Sequence, residues 1–169
     1  MSEPALVILA AGRARRFGAV KPLAPIGLHG EAVIDLIASD AVAAGFEHLV
    51  LVVNNETGPE IREHVASVWP SSISVDFAVQ DQALGTVHAL LCARDFVSDG
   101  AAFGVSNADD LYGYEAMELL AGHLRTKASN VLIGFHLAGA LVGSDPVTRG
   151  VCVVDDEHLV SITERRQVT

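Results

Sequence analysis

The chain has 169 residues, with 11 Lys and Arg against 21 Asp and Glu, a net charge of −10, and 50% hydrophobic but only 5% aromatic residues. That length suits one domain, residues 1–169, large enough to bury an aliphatic, alanine-rich core. The negative balance excludes a nucleic acid polymer as partner, because such binding neutralises many phosphates at once. It admits a small anion held at one focused basic spot. Cys92 and Cys152 lack ligand-like spacing and read as reduced thiols of a cytoplasmic protein.

In chain order, residues 5–10 read as a first strand. The apolar stretch around it ends at Arg13, too short to span a bilayer and without the charged start of a signal peptide. No membrane association is expected. A basic, glycine-containing loop follows. Residues 31–44 have the spacing of a helix with Gly45 as its C-terminal cap. Residues 48–53 are a continuous Val/Leu strand, 59–68 a helix with Pro59 in its first turn, and 73–79 an alternating strand. A helix over 85–96, a strand over 102–105, a helix over 114–125 and a strand over 131–136 come next. The last segment reads as two short strands, 150–154 and 159–162, around the acidic turn Asp155, Asp156 and Glu157.

This alternation predicts an α/β, three-layer Rossmann-like fold with a mainly parallel sheet covered on both faces. Ligands of such sheets bind beyond the carboxyl ends of the strands. Three segments fall on that rim: the basic loop, residues 80–86 and residues 106–113.

The basic loop sets Arg13, Arg15, Arg16 and Lys21 within nine positions, and no acidic residue lies between Glu3 and Glu31. Ala10, Ala11 and Gly12 let the main chain approach a ligand, and N–H groups with Arg side chains suit phosphate oxygens. No Gly-Lys-Ser/Thr follows, so it is not a P-loop, nor is it the dinucleotide G-x-G-x-x-G. A solvated Arg-rich turn is the alternative.

Leu9-Ala10-Ala11-Gly12, with Arg16 and Lys21-Pro22-Leu23, resembles the signature loop of the nucleotidyltransferases that make nucleotide-sugars. The resemblance implies a glycosyltransferase-A-like form of the fold. It implies that Leu9, Ala10, Ala11, Gly12 and Arg13 wrap the triphosphate while Arg16 and Lys21 neutralise phosphate charge in the transition state. Ala14 stands where the family has a second loop glycine. Enzymes that transfer nucleotides to the molybdenum cofactor accept similar wording in this loop.

In the second segment, the Gln80 amide offers a donor and an acceptor to a base edge. Gly85 permits close approach, and Thr86 opens a helix with its hydroxyl at the N-terminus. A polar loop before a capped helix would look the same, but the spacing is similar to the family's base-reading motif. In the third segment, Asp109 and Asp110 end a strand, where a carboxylate is costly unless paired or cation-bound. Mg²⁺ takes one or two carboxylates plus substrate phosphates. An Asx turn with Asp110 merely exposed is the alternative. The resemblance assigns the metal to Asp109, with Asp110 close behind it. The wording from Asn107 to Gly113, with Tyr112 toward the sugar, looks like the sugar-phosphate branch. Finally, Arg149-Gly150-Val151 and Ile162-Thr163-Glu164 resemble the segment in which a glycine and a glutamate contact the acceptor sugar. His88, His123 and His136 read as structural or surface histidines without zinc-site spacing.

The implied activity is transfer of a nucleoside monophosphate from a triphosphate to a sugar 1-phosphate, with release of pyrophosphate. Mg²⁺ would be the cofactor, the triphosphate and sugar phosphate the partners; homo-oligomerisation is left open. The family usually continues beyond residue 169, so a C-terminally shortened chain is expected. It is either a fragment or a short form, completed by a partner or without turnover. A nucleotide-binding module and a molybdenum-cofactor-type transferase are the competing expectations.

Overall fold

Every residue of β1 (Ala5–Leu9) is apolar, and all but Leu9 are buried. β2 (His48–Val53) is likewise buried beyond its first residue. Such runs have no solvent face, and both strands lie inside a parallel sheet. The sheet is completed by β3 (Ser74–Val79) and β4 (Phe103–Asn107), in the order β3-β2-β1-β4. All three pairings are parallel, with Leu9 opposite both Val52 and Asn107. The edge strands alternate in burial, as half-covered strands do.

The computed structural model describes residues 4–12, 20–97, 99–141 and 145–168. They divide into two units, Met1–Val131 and Leu132–Thr169.

In the first unit, α1 (Val33–Ala43), α2 (Gly58–Val68) and α4 (Tyr114–Thr126) supply the larger core. Ile34, Ile37, Ile61 and Met117 pack there with Leu6 and Leu51 of the sheet. The opposite face carries α3 (Thr86–Cys92), whose Ala89 packs with Val7, Val50 and Val52. α1 starts two residues later than its spacing predicts, because Val33 N–H donates to Ala24 O as the incoming loop closes. It ends as expected: Gly45, at φ +92°, donates to Val42 O and Phe46 N–H donates to Ala41 O. That is the paired bonding of a glycine-terminated helix.

Two expectations are corrected. The helix predicted over 85–96 stops at Cys92 and continues only as a 3-10 turn, Arg94–Phe96. The strand predicted over 131–136 does not form, and those residues carry neither helix nor strand.

The second unit is a hairpin of β5 (Val147–Asp155) and β6 (His158–Val168), both longer than predicted. Its turn residues Asp156 and Glu157 both have positive φ, 43° and 65°. Two-residue turns of that hand match the twist of antiparallel strands. Among the described residues no helix is long and apolar enough to cross a membrane.

Candidate functional site

The strand order puts a topological switch point between β1 and β4: the chain moves from β1 outward to β2 and β3, then returns to β1's other side. Loops leaving two strands at such a point part around a crevice at their carboxyl ends, where open α/β sheets take ligands. Here Ala108 N–H donates to Leu9 O at 3.1 Å, so the loops after β1 and β4 start side by side. Ala10 and Ala11 are buried and Gly12 is exposed. Arg13 and Arg16, together with Ala14 and Arg15, lie outside the described residues.

Lys21 opens a 3-10 turn, Lys21–Leu23, in which Pro22 is buried and Leu23 N–H donates to Val20 O at 2.8 Å. Proline suits the start of such a turn because its φ is already set. The anchored turn carries the Lys21 ammonium to Asp109, with Nζ 2.5 Å from Oδ2 and the two side chains 40% and 36% exposed. Asp110 turns the other way. Its Oδ2 accepts from Asn107 Nδ2 at 3.0 Å and faces the Tyr112 hydroxyl at 3.5 Å. Tyr112 OH in turn accepts from Asn107 N–H at 3.3 Å. Burial raises the Tyr112 phenol above its ordinary pKa; Asp110 adds to that, while the Asn107 N–H works against it. The phenol therefore stays protonated at neutral pH.

Each of the two carboxylates keeps an oxygen that makes no hydrogen bond among the described residues. These are hard oxygen donors of the kind Mg²⁺ takes. Among the described residues no group of three or more His, Cys, Asp and Glu is placed to hold a metal by itself. The donor set suits a cation that brings phosphate oxygens with it rather than a dedicated protein cage.

The base-side segment is also internally braced. Gln80 N–H donates to Val53 O at 2.8 Å, and its side chain is 7% exposed. Gln80 Nε2 donates to Gly85 O at 3.1 Å and lies 3.1 Å from His88 Nδ1. A carbonyl can only accept, so the amide nitrogen is the atom turned toward Gly85 O. The expected donor half of this amide is thus engaged within the protein. Gly85 has φ +93° and caps α3 from outside, a conformation that a side chain would strain. Thr86 is the exposed first residue of that helix.

Sequence reasoning passed over two supports. Asn54, directly after β2, donates from Nδ2 to Ala11 O at 3.0 Å. Its Oδ1 accepts from Glu56 N–H and Thr57 N–H, each at 2.8 Å, at the entry to α2. An Asn directly after a buried strand and before a helix was the available signal. His88, set aside as structural, is the second partner of the Gln80 amide.

In the hairpin unit, Gly150 stands opposite Glu164 in register. Two of the three residues expected to meet an acceptor sugar are therefore cross-strand neighbours, and Glu164 Oε1 lies 3.5 Å from Arg166 Nε.

An open parallel sheet with a lysine–aspartate pair at its switch point defines an α/β protein of the Rossmann-like kind. The chain belongs to the nucleotidyl transferase family, whose model matches residues 5–164. It is 29% identical over 170 residues to the bifunctional protein GlmU of Syntrophotalea carbinolica, covering 99% of this chain and 34% of that protein. It is 31% identical over 178 residues to GlmU of Symbiobacterium thermophilum, covering 99% of this chain and 36% of that one. The chain thus spans about a third of the length of the curated relatives it matches. Its fold is similar to that of HddC from Yersinia pseudotuberculosis, solved with GMP-PN, at TM-score 0.62 and 19% identity over 96% of this chain and 70% of that one. Rv0371c from Mycobacterium tuberculosis H37Rv matches at TM-score 0.57 and 20% identity over 72% of this chain and 60% of that one.

Proposed function

We propose that the chain transfers a nucleoside monophosphate from a nucleoside triphosphate to a sugar 1-phosphate. The observation that carries this reading is the Lys21–Asp109 pair at the switch point between β1 and β4. Similarity to GlmU proteins over nearly the whole chain supports the same class.

In this reading an oxygen of the acceptor's phosphate attacks the α-phosphorus, and the bond from that phosphorus to the bridging oxygen breaks, releasing pyrophosphate. The acceptor is already anionic, so no protein nucleophile or general base is needed. Catalysis is positioning and charge stabilisation. The main chain of Leu9, Ala10, Ala11 and Gly12 lines the phosphates, with Arg13 and Arg16 as further cations and Lys21 neutralising developing charge. Gln80 Oε1 accepts from an N–H of the base, beside Gly85 and Thr86. Asp109, with Asp110 behind it, would hold Mg²⁺. When bound, that ion would offset phosphate charge. Tyr112, Gly150 and Glu164 are assigned to the acceptor sugar.

The second reading is a nucleotide-binding module without turnover: the Lys21–Asp109 pair suits a bound triphosphate with its cation whether or not transfer follows. Pyrophosphate release, measured with each triphosphate against a panel of sugar 1-phosphates, separates the two. Release with one pair supports the transferase. A thermal shift with triphosphate and no release with any acceptor supports the module.

A further inference from the structure

Asp35, the third residue of α1, has both oxygens engaged. Oδ2 accepts the N–H of Ala32 at 2.9 Å. Oδ1 accepts from His64 Nε2 on α2 at 2.8 Å and from the Trp69 indole N–H, just past α2, at 2.7 Å. The Asp35 side chain is 12% exposed, and a carboxylate so far from water is tolerated only when its acceptor capacity is filled. Three donors from three places on the chain converge on it. A helix cap alone would need only the first.

What they secure is the support of the Lys21 turn. Ala32, held by Asp35, forms an antiparallel bridge with Pro25, and Ala24 O accepts from Val33 N–H at 3.2 Å. These two contacts close the segment that leaves the turn Lys21–Leu23. Leu23 and Ala24 pack against the same core cluster as Trp69, and the turn touches both α1 and α2. Through Ala32 and Trp69, part of this bracing leads back to the one carboxylate.

We propose that Asp35, with His64 and Trp69 as its donors, is a positioning residue for Lys21, setting the angle at which the turn presents Nζ to Asp109. The inference rests on the reading of Lys21 and Asp109 given above; its test does not need turnover. Lys21 and Lys127 are the chain's two lysines, and Lys127 is exposed at the end of α4. Trace acetylation of the full chain with acetic anhydride, quantified by mass spectrometry, gives the Lys21/Lys127 labelling ratio. Asp109→Asn sets its ceiling.

Asp35→Asn, His64→Leu and Trp69→Phe should raise the ratio by about threefold or more, the change expected when an exposed ion pair is released. His64→Gln keeps an N–H donor and should return it to the wild-type value. A purely structural Asp35 would lower the melting temperature and leave the ratio unmoved. An unchanged ratio in folded His64→Leu and Trp69→Phe overturns the proposal even where Asp35→Asn does not fold. A wild-type chain that releases no pyrophosphate overturns the proposed transferase activity instead, and the labelling ratio still decides this inference.

Discussion

Lys21 Nζ lies 2.5 Å from Asp109 Oδ2 across 88 residues of sequence, on loops that leave adjacent strands β1 and β4. Both side chains are more than a third exposed, so water screens the pair and its worth to stability is about 0–1 kcal/mol. Stability does not explain the pairing. Two opposite charges meeting beyond the carboxyl ends of adjacent strands suit a polyphosphate with its cation. Lys21→Ala and Asp109→Ala should each slow pyrophosphate release by at least ~10²-fold, the usual cost of one lost electrostatic stabiliser. Thermal melts should move little. Near-normal turnover in both variants would sink the mechanism.

Gln80 offers a test of the base pocket. In Gln80→Glu a carboxylate oxygen replaces Nε2 and faces Gly85 O, acceptor against acceptor, at a site only 7% exposed. Denaturant titration should show a loss of about 1–3 kcal/mol, the cost of a buried group left unpaired. His88→Ala removes one partner of the amide and should weaken triphosphate binding more than it lowers stability. Equal binding by wild type and both variants would remove Gln80 from the base pocket.

Asn54 ties the start of the loop after β1 to the entry of α2 through one side chain. Asn54→Ala frees two N–H groups and one carbonyl, and should cost about 1–2 kcal/mol in equilibrium unfolding. Asn54→Asp keeps the acceptor for the α2 N–H groups but cannot donate to Ala11 O. It should recover most of the stability and leave triphosphate affinity reduced.

The Tyr112 phenol, raised by burial above the ordinary value of 10.0, gives an alkaline signature. A group whose folded pKa is raised binds its proton more tightly in the native state. Its contribution is fully present below the unfolded pKa and is lost as pH rises through the folded one. Stability should therefore fall as pH climbs past about 10. Tyr112→Phe should flatten that fall, and the ultraviolet phenolate absorbance should show which transition disappears.

Much of the first unit could be read from residue order. The continuous apolar runs gave β1 and β2, because a strand buried on both faces has no polar positions to lose. Gln80 and Asp109 stood out in the sequence because each closely follows a strand, and Lys21 because it closes the basic loop after β1. Residues 131–136 were not. Their apolar pattern suits a strand, but a strand exists only where another backbone completes its ladder. Among the described residues none does, and Leu132 and Phe135 are 55% and 52% exposed. The end of α3 was misplaced for a related reason: its buried Ala89 and the Ala93 that follows it cover one small patch of the sheet, and the chain tightens into a 3-10 turn where that patch ends.

By itself, then, the sequence determined the alternation of elements, the charge focused on one loop and the residue types available to a triphosphate. Those follow from periodicity and composition, which act along the chain. Tertiary structure alone decided that Lys21 meets Asp109, that the Gln80 amide nitrogen turns to Gly85 O and His88, and that Asp35 gathers donors from α2 and Trp69. Each is a contact across sequence, set by strand order and by the need of buried polar atoms for partners, which no local pattern specifies.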